Sequence, residues 1–223
     1  MVKNIIFDFG GVLYRIRYQN IPDAFSKCGI QHFEEIYSKQ HQNYVMDQYE
    51  EGLISTEEFR RYIHSLASCP ITDRQIDDCW NAILLGFPKK HEELLQKVSQ
   101  HYNLYLFSNT NQLNYEKFRT DMRAQFGYDI FDRYFKKCYF SQLLHIRKPK
   151  PEGFQLIIRE NHLQPAETLF IDDSPQHLAG AQACGLQTFH LADGMDVTDL
   201  FDEEGGVKTP LACSVSPRRT FRR

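Results

Sequence analysis

No apolar run in this 223-residue chain approaches the roughly 18 residues that a membrane-spanning helix needs, so no membrane partner is expected. There is no CxxC either. The six cysteines (Cys28, Cys69, Cys79, Cys138, Cys184 and Cys213) show no close pairing in sequence, and no charged-then-apolar leader precedes the first strand-like segment. Together these absences point to a reduced, cytoplasmic compartment. An excess of one charge is also missing, because 26 basic against 29 acidic residues leave a formal charge of −3. No global field is present to hold nucleic acid, and an anionic substrate would have to be bound locally. The nine histidines lack the i, i+4 pairing of a zinc helix, and no internal repeat is evident.

What is present is a succession of short apolar runs separated by amphipathic stretches. Strands are expected at Asn4–Phe7, Leu104–Phe107, Cys138–Ser141, Thr168–Ile171 and Gln187–Leu191. This alternation favours a parallel sheet covered by helices on both faces. Residues 8 to 103 separate the first two strands, where a simple βαβ crossover needs only about thirty in all. The excess reads as helix: Ser55-Thr56-Glu57-Glu58 has the form of a capping box, followed by Phe59, Tyr62, Ile63 and Leu66 at helical spacing. Thr72-Asp73-Arg74-Gln75 opens another helix, with Ile76, Cys79, Trp80, Ile83 and Leu84 on one face. Gly52 and Pro88 mark breaks. Trp80 and Tyr62 are expected to pack this insertion rather than stack on a ligand. Glu203 to Arg223, with few large apolar residues and a basic end, reads as a disordered tail or, alternatively, a basic docking peptide.

Four short motifs end predicted buried elements: Asp8-Phe9-Gly10-Gly11 after Ile5-Ile6-Phe7, Ser108-Asn109 after Leu104 to Phe107, Arg147-Lys148-Pro149, and Asp172-Asp173-Ser174 after Leu169 to Ile171. In a parallel α/β sheet the C-terminal strand ends converge on one crevice, where a carboxylate, a hydroxyl, an ammonium and a carboxylate pair meet. Each motif alone has a plainer reading. Asp-x-Gly-Gly is a common turn. Ser108 and Asp173-Ser174-Pro175 suit helix N-termini, and Lys148 alone would be a surface lysine. Jointly they suit phosphoryl transfer. Glycine lets backbone approach a ligand closely, adjacent carboxylates call for a hard cation, and the Lys148 ammonium, on a segment that Pro149 and Pro151 keep extended, offsets charge among Asp8, Asp173 and a phosphate.

The ordered set resembles the haloacid dehalogenase superfamily over residues 1 to about 200. The fold this implies is a Rossmann-like α/β core of five parallel strands ordered 3-2-1-4-5, formed by residues 1–14 and 89–202, with an all-helical cap at 15–88. The implied activity is a magnesium-dependent phosphatase working through an aspartyl-phosphate on a small phosphorylated metabolite such as a sugar phosphate. The catalytic residues would be Asp8, Ser108 and Lys148. Gly11, Ser108, Asn109 and Lys148 would bind substrate, and Asp8, the Gly10 carbonyl, Asp172 and Asp173 would serve Mg2+, Asp172 less directly. Tyr49-Glu50-Glu51-Gly52-Leu53-Ile54-Ser55 and Ser108-Asn109-Thr110-Asn111 further resemble bacterial α-glucose-1-phosphate phosphatases.

The chain departs from that pattern at Gly10, where the superfamily's acid–base aspartate is absent. Leaving groups that depart without a proton, such as an anomeric hydroxyl, a phenol or an acyl carboxylate, should lose least. A sugar 1-phosphate is therefore favoured over a 6-phosphate, unless His41 or Glu51 of the cap supplies the proton. Arg15 and Arg17 are weighed as readers of a second anionic group against a solvated hinge. Metal-independent dehalogenation and a catalytically impaired phosphate-binding protein are the alternatives, and the Asp172-Asp173 pair argues against the first.

Overall fold

The computed structural model describes residues 1–38 and 43–208. Strand β1 (Asn4–Phe7) lies at the centre of a five-stranded parallel sheet. Its neighbours are β4 (Asn103–Ser108) and β6 (Thr168–Asp172), with β5 (Lys137–Phe140) and β7 (Gln187–His190) at the edges. Counting only these strands, the order is the expected 3-2-1-4-5. Successive side chains point to opposite faces. Ile5, Phe7, Leu104, Leu106, Leu169 and Ile171 enter one core with Leu95 of α5 (Lys89–Val98) and Phe118 of α6 (Gln112–Phe126). Ile6, Phe107 and Phe170 enter the other, with Phe154 of α9 (Pro151–Glu160) and Leu178 of α10 (Pro175–Ala183). Two short helices, α7 (Ile130–Tyr134) and α8 (Ser141–Leu144), flank β5.

Between β1 and β4 runs the inserted segment, with helices α1 (Asn20–Lys27), α2 (Tyr44–Glu50), α3 (Thr56–Leu66) and α4 (Asp73–Asn81). Both expected capping boxes are formed, Ser55 with Glu58 and Thr72 with Gln75. The segment has a core of its own around Phe25, Phe33, Phe59, Ile76 and Trp80. Trp80 packs among the rings of Phe33, Tyr37, Tyr49 and Phe59, and its Nε1 donates to Asn111 Oδ1 at 3.1 Å on α6.

Two expectations need correction. The insertion is not helical throughout, because β2 (Arg15–Ile16) and β3 (Leu84–Gly86) pair antiparallel where the chain enters and leaves it. Strands this short carry no readable alternation. Residues 203–208 are held against the core rather than loose: Lys97 Nζ donates to the Glu203 carbonyl at 2.8 Å, and Val207 N donates to Tyr102 Oη at 3.0 Å. The remainder of the expected tail, 209–223, lies outside the described residues. Among those described, no helix is long and apolar enough to cross a membrane.

Candidate active site

The sheet order sets β1 between β4 and β6, so Asp8, Ser108 and Asp172 emerge side by side at the C-terminal end of the sheet. Asp8 N donates to the Ile171 carbonyl at 2.9 Å, and the chain then folds back, with Leu13 and Tyr14 N–H groups both donating to the Phe9 carbonyl. Gly11 has φ +86, and a Cβ on it would come 2.7 Å from Asp173 Oδ2. Glycine there lets the second carboxylate of the pair press against the loop that follows Asp8.

Lys148 stands at the centre of the site, fully buried. Its ammonium donates to Asp8 Oδ1 at 2.6 Å and Asp172 Oδ2 at 2.7 Å, between the rings of Phe107 and Phe170. Burial would depress the lysine's pKa, but Asp172 and Asp8 outweigh it and hold it above the ordinary value. Its main chain is clamped by one side chain: Asn109 Oδ1 accepts from Lys148 N at 2.8 Å while Asn109 Nδ2 donates to the Lys148 carbonyl at 3.0 Å. The amide expected to bind substrate is thus engaged in fixing the lysine.

Asp172 stands on the other side of the ammonium. It is completely buried and accepts from Lys148, from Ser174 N at 2.8 Å and from His177 Nδ1 at 3.0 Å. Burial would raise its pKa, yet Lys148 and His177 hold it below the ordinary carboxylate value. Asp8, Asp172 and His177 each bring a ligand atom within 4.8 Å of the others, but the Lys148 ammonium already bridges the two carboxylates. Asp172 therefore anchors the lysine. His177 was not singled out from sequence. Its only signal is a histidine in the first turn of the helix after the aspartate pair.

A cavity of about 290 Å3 is lined at this end by Asp8, Gly10, Ser108, Asn109, Lys148 and Asp173. Gly11 and Asp172 sit behind that lining. Burial pushes Asp8 up to about 8, with Lys148 opposing and the Asp172 and Asp173 carboxylates adding to the rise. One ammonium does not balance this acidic cluster, and a hard divalent cation on oxygen donors fits the remainder.

The inserted segment supplies much of the opposite end of the cavity, through Ile16, Tyr18, Tyr37, Asp47, Glu50 and Leu84. Glu51, considered as a proton donor, does not line it: its side chain pairs with Lys150 and its carbonyl accepts from His145 Nδ1. Arg15 and Arg17 do not line it either, which removes the basis for reading a second anion with them. Both are exposed, Arg15 within β2 and Arg17 just after it. His41 lies outside the described residues.

The profile of the haloacid dehalogenase-like hydrolases matches residues 2–185. The D-ribitol-5-phosphate phosphatase of Bacteroides thetaiotaomicron is 31% identical over 88% of this chain and 95% of its own length. A haloacid dehalogenase family enzyme of the same bacterium, solved as an aspartate-to-alanine variant with magnesium and inorganic phosphate, superposes with a TM-score of 0.86 at 32% identity, covering 91% of this chain and all of that one. A haloacid dehalogenase-like hydrolase of Porphyromonas gingivalis gives a TM-score of 0.77 at 28% identity, over 87% of this chain and 93% of its own.

Proposed function

The chain belongs to the haloacid dehalogenase-like hydrolases, and from that premise we propose that it hydrolyses a small sugar or polyol phosphate through an aspartyl-phosphate on Asp8. It is a phosphoric monoester hydrolase, with magnesium as its cofactor. The observation that carries the reading is the buried Lys148 ammonium bonded to both Asp8 and Asp172 at the floor of a cavity that also presents Ser108 and Asp173.

In this reading the Asp8 carboxylate attacks phosphorus, the bond to the substrate's alcohol oxygen breaks, and the electron pair leaves with that oxygen. Lys148, the Ser108 hydroxyl and backbone N–H groups after Asp8 and Ser108 hold the phosphoryl oxygens. Asp172 keeps the lysine in place, and Asn109 fixes its main chain. Water then attacks the phosphorus and frees Asp8. Asp8, Asp173 and the Gly10 carbonyl are the residues suited to hold magnesium, which when bound offsets charge on the transferring group.

Gly10 carries no group that moves a proton, and general acid–base help is worth about 10² to 10⁴ in rate. The proposed consequence is a slow chemical step on alkyl phosphates, in which a polyol's leaving oxygen must take its proton from solvent, whereas oxygens that depart without protonation lose least. The name of the Bacteroides relative supports a sugar or polyol phosphate as the class. Phosphate release from p-nitrophenyl phosphate tests the reading. It should require magnesium, stop on chelation and vanish in Asp8→Asn; turnover that survives chelation would overturn it.

A further inference from the structure

Away from the reacting end, the cavity is finished by a second cluster of polar groups that phosphoryl transfer does not use. Tyr18, Tyr37, Asp47, Glu50 and Arg147 line it together. Arg147 pairs with Asp47 through NH1, and its NH2 stands 2.8 Å from Glu50 Oε2. Glu50 and Tyr37 are only 5% and 4% exposed. The Arg147 Nε is buried with no hydrogen-bond acceptor among the described residues.

Burying such charges returns little stability, because desolvation offsets the attraction between them. A cavity wall made of them is suited instead to a polar ligand, since a site built to hydrogen-bond a hydroxyl discriminates strongly against analogues that lack it. The sign of the cluster narrows the class. Among the described residues lining this end, two carboxylates stand against one guanidinium, a balance that disfavours a second anion on the leaving group. Hydroxyls donate to Asp47 and Glu50 and accept from Arg147 and the tyrosines. The volume, about 290 Å3, is at the lower end of small-molecule sites, which run from about 300 to 1,000 Å3. It suits a short chain rather than a nucleotide.

We propose that Asp47, Glu50 and Arg147, with Tyr18 and Tyr37, read the hydroxyls of a neutral polyol leaving group and reject phosphates that carry a second anionic group. This rests on the phosphatase reading above. Arg147 is the neighbour of Lys148 in the chain, so the residues that read the leaving group and hold the phosphoryl group share one loop.

The test compares kcat/KM on three substrates: p-nitrophenyl phosphate, a pentitol phosphate, and a phosphate of similar length ending in a carboxylate. The wild-type enzyme should favour the pentitol phosphate over the carboxylate-bearing one. In Glu50→Gln and Asp47→Asn the ratio of pentitol phosphate to p-nitrophenyl phosphate should fall by about 10-fold or more, and discrimination against the carboxylate should narrow. Asp47, with its side chain 40% exposed, is the variant less exposed to folding failure. Equal wild-type turnover of the neutral and anionic substrates, or variants that lower all three alike, would overturn the proposal. If the wild-type enzyme hydrolyses none of them, the phosphatase reading falls. Calorimetric binding of the pentitol phosphate to Asp8→Asn, with and without Asp47→Asn, then decides on the cluster: weaker binding in the double variant supports it, and unchanged binding overturns it.

Discussion

At Gly10 the space around the backbone decides whether the missing proton carrier can be restored. A Cβ built there meets Ile16 Cδ1 at 3.2 Å and Cγ2 at 3.7 Å, a tight fit against the end of a flexible side chain. Gly10→Asp is therefore expected to fold and to raise turnover of alkyl phosphates by about 10-fold or more. The wild-type enzyme should show a pre-steady-state burst with aryl phosphates and none with alkyl phosphates. Stopped-flow release of p-nitrophenol checks this, and a rate insensitive to leaving-group pKa would place the proton donor elsewhere. Asp8 carries a second expectation. Its carboxyl is held up to about 8 against an ordinary 3.8, chiefly by burial. Between those values the folded, metal-free protein keeps a proton that the unfolded chain has released. Its stability is thus fully present below about pH 4 and is lost as pH rises through about 8. Asp8→Asn should remove this slope, which melting curves across the window will show. That Asp8, Ser108 and Asp172 would come together was legible because each closes an apolar strand; the hydrogen bonds of Asn109 and Asp172 were not, since a bond to a lysine's main chain or ammonium leaves no pattern in sequence.

Elements with a full hydrophobic period were readable, and those without it were not. The three central strands β1, β4 and β6 are buried, largely apolar runs, and both capping boxes of the insertion declared themselves by residue type and spacing. The β2–β3 ribbon spans two and three residues and stayed hidden. Gly52, read as a break, has a stronger constraint: φ is +64, and a Cβ would come 2.2 Å from the Gln142 carbonyl oxygen. The end of α2 is seated on α8 at this point, where Ser141 Oγ donates to the Glu50 carbonyl at 2.5 Å. Gly52→Ala is expected to cost roughly 1–3 kcal/mol from the backbone conformation alone, with the close contact adding to it. Urea denaturation measures it, and a loss under half a kilocalorie would show that the seat yields.

For the whole molecule, the insertion is proposed to act as a cap that opens about Tyr14 to Tyr18 and Phe87 to Lys89, the segments beside the ribbon. The contacts of Glu50, Glu51 and Asp47 with Ser141, His145, Arg147 and Lys150 tie it to the loop that carries Lys148. Opening would release these ties and admit substrate, and closing would exclude water. Single-molecule distances between α3 and α9 should shift on adding magnesium with a phosphate analogue; distances that stay fixed would contradict this. The central claim, however, is covalent chemistry at one carboxylate, and the most direct measurement is the mass of the protein quenched in acid during turnover of p-nitrophenyl phosphate. With magnesium present, a fraction of the protein is expected to carry one phosphoryl group on the peptide containing Asp8, and none in Asp8→Asn or after chelation. Steady turnover with no such adduct at any quench time, or an adduct on another peptide, would contradict the account.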